Sequence, residues 1–413
     1  MSEKIKKIFY LYLISIPLLD CISGIFINNR IIIGFIYFVK LLFILFVVCT
    51  IFFINKKYRK YLFALVCYSL LFLLINGDFK EKNDLIYEIG IVIKIIYLPL
   101  ILLFVIENIK DFKLKYLFIV FLEYLLLIFI PNILNIGHNS YAYSKEGQVG
   151  FFISANVIGN IFSILYPIIL LYLLKTNKKI HALVISTFYI YTILTMGTKG
   201  PLICLILLLL YFIVYLLIKL VKNKKYYLLI IGFVLFTFAT FLFTKIITKT
   251  AFYENLIIHL NFLNVHSFKD LLSFEKIDHF IFGSRFKMLN DSFQVFINSS
   301  LLNKLFGIGY MNNNILKTCE MDYFVTLIHN GIIGFMIIYS VYFYFVFNLI
   351  KEYIKKFFNN FMNIKKTLIH ISLFFTILCA FFVGHTLDVP SVSIYVAIII
   401  NLCIQQRSNS YEK

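Results

Sequence analysis

Residues 31–54 read IIIGFIYFVKLLFILFVVCTIFFI, an unbroken apolar run with a single charge, Lys40. At 1.5 Å per residue, a helix of that length covers about 36 Å, enough to cross roughly 30 Å of hydrocarbon. Stretches of similar character fall at 8–28, 60–76, 86–106, 113–133, 150–174, 180–197, 201–219, 226–248, 323–349, 367–384 and 389–405. With 61% hydrophobic and 14% charged residues, the chain holds more apolar surface than 413 residues could bury in water, so lipid must be its solvent. Alternating ten-residue segments, the mark of a membrane barrel, do not occur. The expected fold is all-α: a polytopic transmembrane helical bundle of about 12 spans.

Basic residues orient the bundle. If the N-terminus is cytoplasmic, the inner loops carry Lys56, Lys57, Arg59 and Lys60, then Lys222, Lys224 and Lys225, then Lys365 and Lys366. The short outer loops hold only Arg30, Lys80, Lys82, Lys145 and Lys199, which is the bias that insertion imposes. This places both termini on the cytoplasmic side. The formal charge of +19 then reflects basic loops on one side of a membrane protein, and nucleic acid is not an expected partner. Residues 1–7 followed by an apolar run have the look of a signal peptide but no small-x-small cleavage site, so the first span is expected to be retained. Of the seven cysteines only Cys319 stands clear of the spans, and no metal or disulfide framework is expected.

Residues 249–322 break the rhythm of short connections, dividing the chain into spans 1–9 (1–248), a long extracytoplasmic loop (249–322), and spans 10–12 with a cytoplasmic tail (323–413). Within the loop, Phe286, Leu289, Phe293 and Phe296 recur at helical spacing, predicting an amphipathic surface helix over 285–298 with Ser284 as its N-cap. A shorter polar loop, 134–149, carries His138, Tyr141, Tyr143, Lys145 and Glu146. Its tyrosines could stack on sugar rings or form an interfacial aromatic belt.

Ionisable residues inside spans are costly and so are functional candidates. Asp20, Lys40 and Lys94 share a depth of about 12–14 Å from the outer surface and form a candidate intramembrane ion pair, structural or ligand-binding. Glu123 is a weaker case. At the outer mouth, the turn Thr195-Met196-Gly197-Thr198-Lys199-Gly200-Pro201 presents a cation. Gly283-Ser284-Arg285-Phe286-Lys287 places Arg285 and Lys287 in the first turn of the surface helix, where open backbone N–H groups and a guanidinium fork would suit a diphosphate. Lipid-headgroup snorkelling is the alternative for Lys199 and Lys287. No Gly-Lys-Ser/Thr phosphate loop occurs, so the energy for any reaction must come from an ion gradient or an activated substrate.

Next come Leu305-Phe306-Gly307-Ile308-Gly309-Tyr310, then Glu320-Met321-Asp322, then Gly331-Ile332-Ile333-Gly334. That ordered set after Arg285 resembles the O-antigen ligase and Wzy-type polysaccharide polymerase family. The resemblance extends to Gly150-Phe151-Phe152-Ile153-Ser154-Ala155-Asn156, the Thr-Lys-Gly-Pro turn (where relatives usually carry Ser-Arg), and Gly384-His385-Thr386-Leu387-Asp388-Val389-Pro390. It implies transfer of a glycan from a polyprenyl-diphosphate carrier to an acceptor sugar outside the membrane. No cofactor or metal is implied, and other envelope-assembly proteins are candidate partners. By resemblance, Arg285 and Lys199 grip the diphosphate. Relatives place His-Asn about eleven residues before the Gly-x-x-Gly, whereas this chain has Glu320 followed by Asp322. Either carboxylate could serve as base, and the change points toward a polymerase over a ligase. His329-Asn330 lies about 14 Å along a regular helix from Glu320, too far to share a site unless the helix breaks. His385, Asp388, Tyr310 and Tyr141 are candidates for glycan or accessory contacts.

The expected activity is therefore polymerisation of lipid-linked repeat units by inverting displacement. The rivals are a ligase acting on a different acceptor, a lipid-oligosaccharide flippase or ion-coupled transporter, and an assembly scaffold. Transport predicts polar residues through both leaflets and a two-fold repeat, neither of which is evident.

Overall fold

The computed structural model describes residues 2–77, 82–140, 147–224, 227, 244–265, 267, 269–270, 273–310 and 319–411. Among the described residues, eight α-helices come first: α1 (Ser2–Ile25), α2 (Arg30–Phe53), α3 (Arg59–Asn76), α4 (Lys82–Asn108), α5 (Leu114–Leu134), α6 (Ala155–Lys175), α7 (Lys179–Met196) and α8 (Lys199–Lys222). Four shorter helices follow: α9 (Ala251–Phe262), α10 (Phe274–Ile277), α11 (Arg285–Ile297) and α12 (Leu301–Phe306), with a π-helical turn at Asp278–Phe282 leading into α11. The chain then returns through α13 (Asp322–Lys355), α14 (Phe357–Phe361), α15 (Ile364–Leu378) and α16 (Pro390–Tyr411). No strand occurs among the described residues, only one antiparallel bridge between Asn139 and Gln148.

Ten of the described helices are long and apolar enough to cross a membrane, and the protein is a multi-pass membrane protein. The expected span at 226–248 lies largely outside the described residues. The stretch at 389–405 is helical but is not one of the ten. Ile394, Tyr395, Val396, Ala397, Ile398, Ile399 and Ile400 are all fully buried, so α16 is enclosed by protein rather than lipid. It packs most extensively on α4 and α15, while α15 and α5 pack on α6.

Peripheral helices show the opposite pattern. On α2, Ile31, Phe35, Tyr37 and Phe38 are exposed while Ile36, Phe43 and Val47 are buried, a one-sided contact with the bundle that leaves an apolar face for lipid. Core polar groups meet backbone carbonyls that helix ends leave open: Asn401 and Gln405 side chains both donate to the Ile109 carbonyl at the end of α4, at 2.8 and 3.0 Å. Asn160 in α6 donates to the Gly384 carbonyl at 2.6 Å, tying the α15–α16 connection to the bundle.

Candidate functional site

Interlocked backbone builds the floor of the site. Helix α13 is interrupted at Gly331 (φ 71, ψ 178), and the Phe306–Tyr310 loop lies in the break. There the N–H groups of Ile308 and Gly309 donate to the carbonyls of Ile328 and His329, both at 3.2 Å. A Cβ on Gly331 would meet the Gly307 nitrogen at 2.3 Å, and one on Gly307 would meet the His329 carbonyl oxygen at 2.0 Å. Two backbones therefore touch where only glycine fits, which accounts for the Gly-x-Gly and Gly-x-x-Gly spacing. The break leaves the Asn330 carbonyl open, and Tyr68 of α3 donates to it at 2.9 Å.

His329 belongs to this floor. It is buried, its Nδ1–H donates to the Gly309 carbonyl at 2.6 Å, and it stacks on Tyr310 with ring centroids 4.6 Å apart. The interruption falls after Asn330, so Glu320, just ahead of α13, and His329 are separated by the helical segment that begins at Asp322. Tyr310 accepts from the Asn330 amide at 2.7 Å, and its own N–H donates to Glu88 at 2.7 Å. Glu88, a buried carboxylate near the start of α4, is a participant that the sequence did not single out. Its depth within an apolar stretch was the available signal.

Above the floor, Arg285 Nη2 meets Glu320 Oε2 at 2.6 Å, with side chains 14% and 28% exposed. Arg285 Nη1 also donates to the Phe282 carbonyl at 2.9 Å, while its buried Nε has no partner among the described residues. The helix that carries Arg285 starts differently from expectation. Ser284 lies in the left-handed region (φ 64) and makes no capping bond. Asp278, buried in the π-helical turn, accepts from the backbone N–H groups of Phe286 and Lys287 at 3.1 and 3.0 Å instead. The sequence pointed to Ser284 because it precedes the helix directly, but the wide π turn brings a longer-range carboxylate to the same amides. Those two N–H groups are consequently occupied and not open to a phosphate. Lys287 itself is exposed.

Asp322 has a different role from its neighbour Glu320. It is buried, with Oδ1 accepting from His385 N–H at 2.6 Å and Oδ2 accepting from the N–H groups of Thr386 and Leu387 at 2.9 and 2.8 Å. This carboxylate holds the Gly384–Asp388 loop against the start of α13. Gly384 (φ 74) completes the junction, since a Cβ there would fall 1.4 Å from the Glu320 carbonyl oxygen. The same loop presents His385 and Asp388, whose Nδ1 and Oδ2 are 3.9 Å apart, an ion-pair distance longer than a hydrogen bond. Asp388, assisted by the charges of Asp322 and Glu320, pushes the His385 imidazole up to about 8 against the opposing effect of burial. Arg285, Glu320, Asp322, His385 and Asp388 thus form one cluster from three distant parts of the chain.

Lys199 reaches this region from behind. Its ammonium donates to the Phe280 carbonyl and to His259 Nδ1 at 3.1 Å, and lies 4.1 Å from the Phe280 ring centroid. An ammonium has only donors, so His259 Nδ1 accepts, and its Nε2–H donates to His279 Nδ1 at 2.7 Å. Lys199 and Arg285 therefore both bind carbonyls of the turn that contains Phe280 and Phe282. Asp20 and Lys40 pair at 2.7 Å in the membrane-spanning bundle, and the Tyr124 hydroxyl donates to the other Asp20 oxygen at 3.3 Å. Lys94 joins their cavity but not their pair. Tyr141 lies outside the described residues.

The sequence matches the model of a family described as O-antigen ligase like membrane protein, over residues 2–270 and 265–407. No curated protein matches the chain significantly.

Proposed function

The chain belongs to the O-antigen ligase-like family of membrane proteins, and on that premise we propose that this membrane glycan-transferring enzyme is a polymerase of lipid-linked oligosaccharide repeat units, working on the outer face of the bacterial cytoplasmic membrane. The observation that carries the proposal is the Arg285–Glu320 pair, a cation and a carboxylate in contact, partly open, beside His385 and Asp388.

The donor is a glycan on a polyprenyl diphosphate. The terminal hydroxyl of a second lipid-linked unit attacks its anomeric carbon, the carbon–oxygen bond to the diphosphate breaks, and the diphosphate departs with the electron pair. Glu320 takes the hydroxyl proton, a role that requires hydrogen-bond reach and an exposed oxygen. Arg285 neutralises charge growing on the leaving group. Lys199 holds the turn from which Arg285 projects and adds its charge to that neighbourhood. No metal is needed, and single displacement inverts the anomeric centre. Asp322, saturated by three backbone donors, organises the loop that carries His385 and Asp388 rather than accepting the proton itself.

A polymerase is favoured over a ligase because Glu320 stands where ligases of the family carry His-Asn. Purified protein in liposomes with a lipid-diphosphate-linked oligosaccharide should yield a size ladder, and Glu320→Gln should slow it by at least about 100-fold, the lower end of what a general base contributes. A ladder of wild-type rate from Glu320→Gln would remove Glu320 from the chemistry. Transfer of one finished chain to a different acceptor, with no ladder, would favour the ligase.

A further inference from the structure

A cavity of about 560 Å³ lies between α1, α2, α4 and the start of α6, away from the Arg285–Glu320 pair. Its volume is within the ~300–1,000 Å³ range of small-molecule sites, and its wall is mostly apolar. Three charged side chains line it: Asp20, Lys40 and Lys94. Asp20 is matched to Lys40. Lys94 is exposed and has no acidic partner among the described residues, leaving one positive charge in excess. The Tyr97 hydroxyl is buried beside the same cavity and interacts with Tyr12.

An unmatched ammonium within a membrane-spanning segment is costly, and an anion would offset that cost. The anion must also carry an apolar body to fill the wall around it. Position narrows the choice further. Val389, Pro390 and Ser391 line the cavity and directly follow Asp388, so the cavity adjoins the loop that carries His385 and Asp388. A two-chain phospholipid has nothing to present there, whereas a single-chain isoprenoid bearing a diphosphate-linked sugar does.

We infer that this cavity is a second polyprenyl-diphosphate site, which holds the acceptor lipid while the donor diphosphate sits at Arg285. Lys94 contacts the phosphates, and the Asp20–Lys40 pair fixes the floor. The inference rests on the polymerase proposal, in which both substrates are lipid-linked.

Native mass spectrometry of the purified full chain in detergent, titrated with a sugar-free long-chain polyprenyl diphosphate, should show two molecules bound. Lys94→Met should weaken one binding event at least ten-fold and leave the Arg285-dependent event in place. Gly90→Phe provides a second test without removing charge. Gly90 lines the cavity, and a Cβ there meets nothing within 4 Å, so a larger side chain starts from open space at this wall. It should abolish the same event. Two unchanged binding events in both variants would overturn the inference, as would displacement of the probe by equimolar phosphatidylglycerol. The ladder assay separates the two proposals. An unaltered KM for lipid-linked acceptor in Lys94→Met and Gly90→Phe, with a normal ladder, refutes the cavity assignment while the polymerase stands. No ladder from wild-type protein refutes the polymerase and, with it, the acceptor role.

Discussion

Asp322→Asn separates the two adjacent carboxylates by consequence. Asparagine is nearly isosteric but keeps only one acceptor oxygen, while the native carboxylate receives three backbone N–H groups on two oxygens. In the best orientation the amide oxygen serves Thr386 and Leu387, and the amide NH2 confronts the His385 N–H. A buried donor without an acceptor costs about 1–3 kcal/mol, and each surviving bond loses about 1 kcal/mol of charge assistance. Removing a buried charge offsets part of that, so the net loss is about 2–4 kcal/mol. It falls on one loop, Gly384–Asp388, which also positions His385 and Asp388. The assay is apparent melting temperature in detergent alongside ladder synthesis. Asp322→Asn should depress both, whereas Glu320→Gln should depress synthesis alone, since a partly exposed ion pair contributes only about 0–1 kcal/mol to stability. A protein with Asp322→Asn that melts like wild type yet makes no polymer would refute the clamp and return Asp322 to a chemical role.

His385 supplies a pH signature. Its folded value is raised to about 8, above the ordinary imidazole value, chiefly by Asp388. Its stabilising contribution is therefore complete below about pH 6.5 and fades as pH rises through about 8. With the side chain 34% exposed, solvent screening discounts this to under about 1 kcal/mol. The melting-temperature difference between wild type and His385→Gln should shrink between pH 6.5 and 8.5, and a difference constant with pH would refute the coupling. Gly331→Ala should cause loss of folded protein, because the new methyl would lie 2.3–2.5 Å from backbone atoms of Gly307 and Leu305. Wild-type yield and melting from that variant would contradict the interlocked-backbone account.

Helices and their apolar faces were legible because a 3.6-residue period and span length are written locally. The same was true of Arg285 and Glu320 as a cation and a carboxylate within one long loop segment. What sequence could not supply was pairing across distance. Ser284 precedes α11 directly and has the right side chain for a cap, yet Asp278 takes that place through a π turn no local propensity announces. Glu320 and Asp322 are two residues apart with the same functional group. Only the approach of residues 384–387, more than sixty positions later, makes one partly open and the other saturated. Lys199 likewise reads as an exposed cation until α9 and the π turn bring His259 and Phe280 onto its ammonium. Glu88 passed unnoticed because its partner, the Tyr310 N–H, is 222 positions away.

On the polymerase proposal, the Arg285–Glu320 pair has a consequence for order of binding. With Arg285 in contact, a Glu320 oxygen that should receive a proton is already engaged by a guanidinium. Arg285 is also fixed from the other side by the Phe282 carbonyl, so it cannot leave with Glu320 if the carboxylate turns away. A donor diphosphate brings several acceptor oxygens to the same fork and competes for Nη2, and the buried Nε is a further donor it could engage on a small side-chain shift. Each new bond to phosphate weakens the hold on Glu320, so the base becomes available as the donor is seated. The acceptor hydroxyl then meets a competent base only when a leaving group is present. Water arriving at an empty site meets a carboxylate locked in an ion pair, with no anomeric carbon to attack. Coupling of this kind needs the two charges in direct contact and on separate elements, Arg285 at the start of α11 and Glu320 just ahead of α13, so that ligand-driven movement of one does not carry the other.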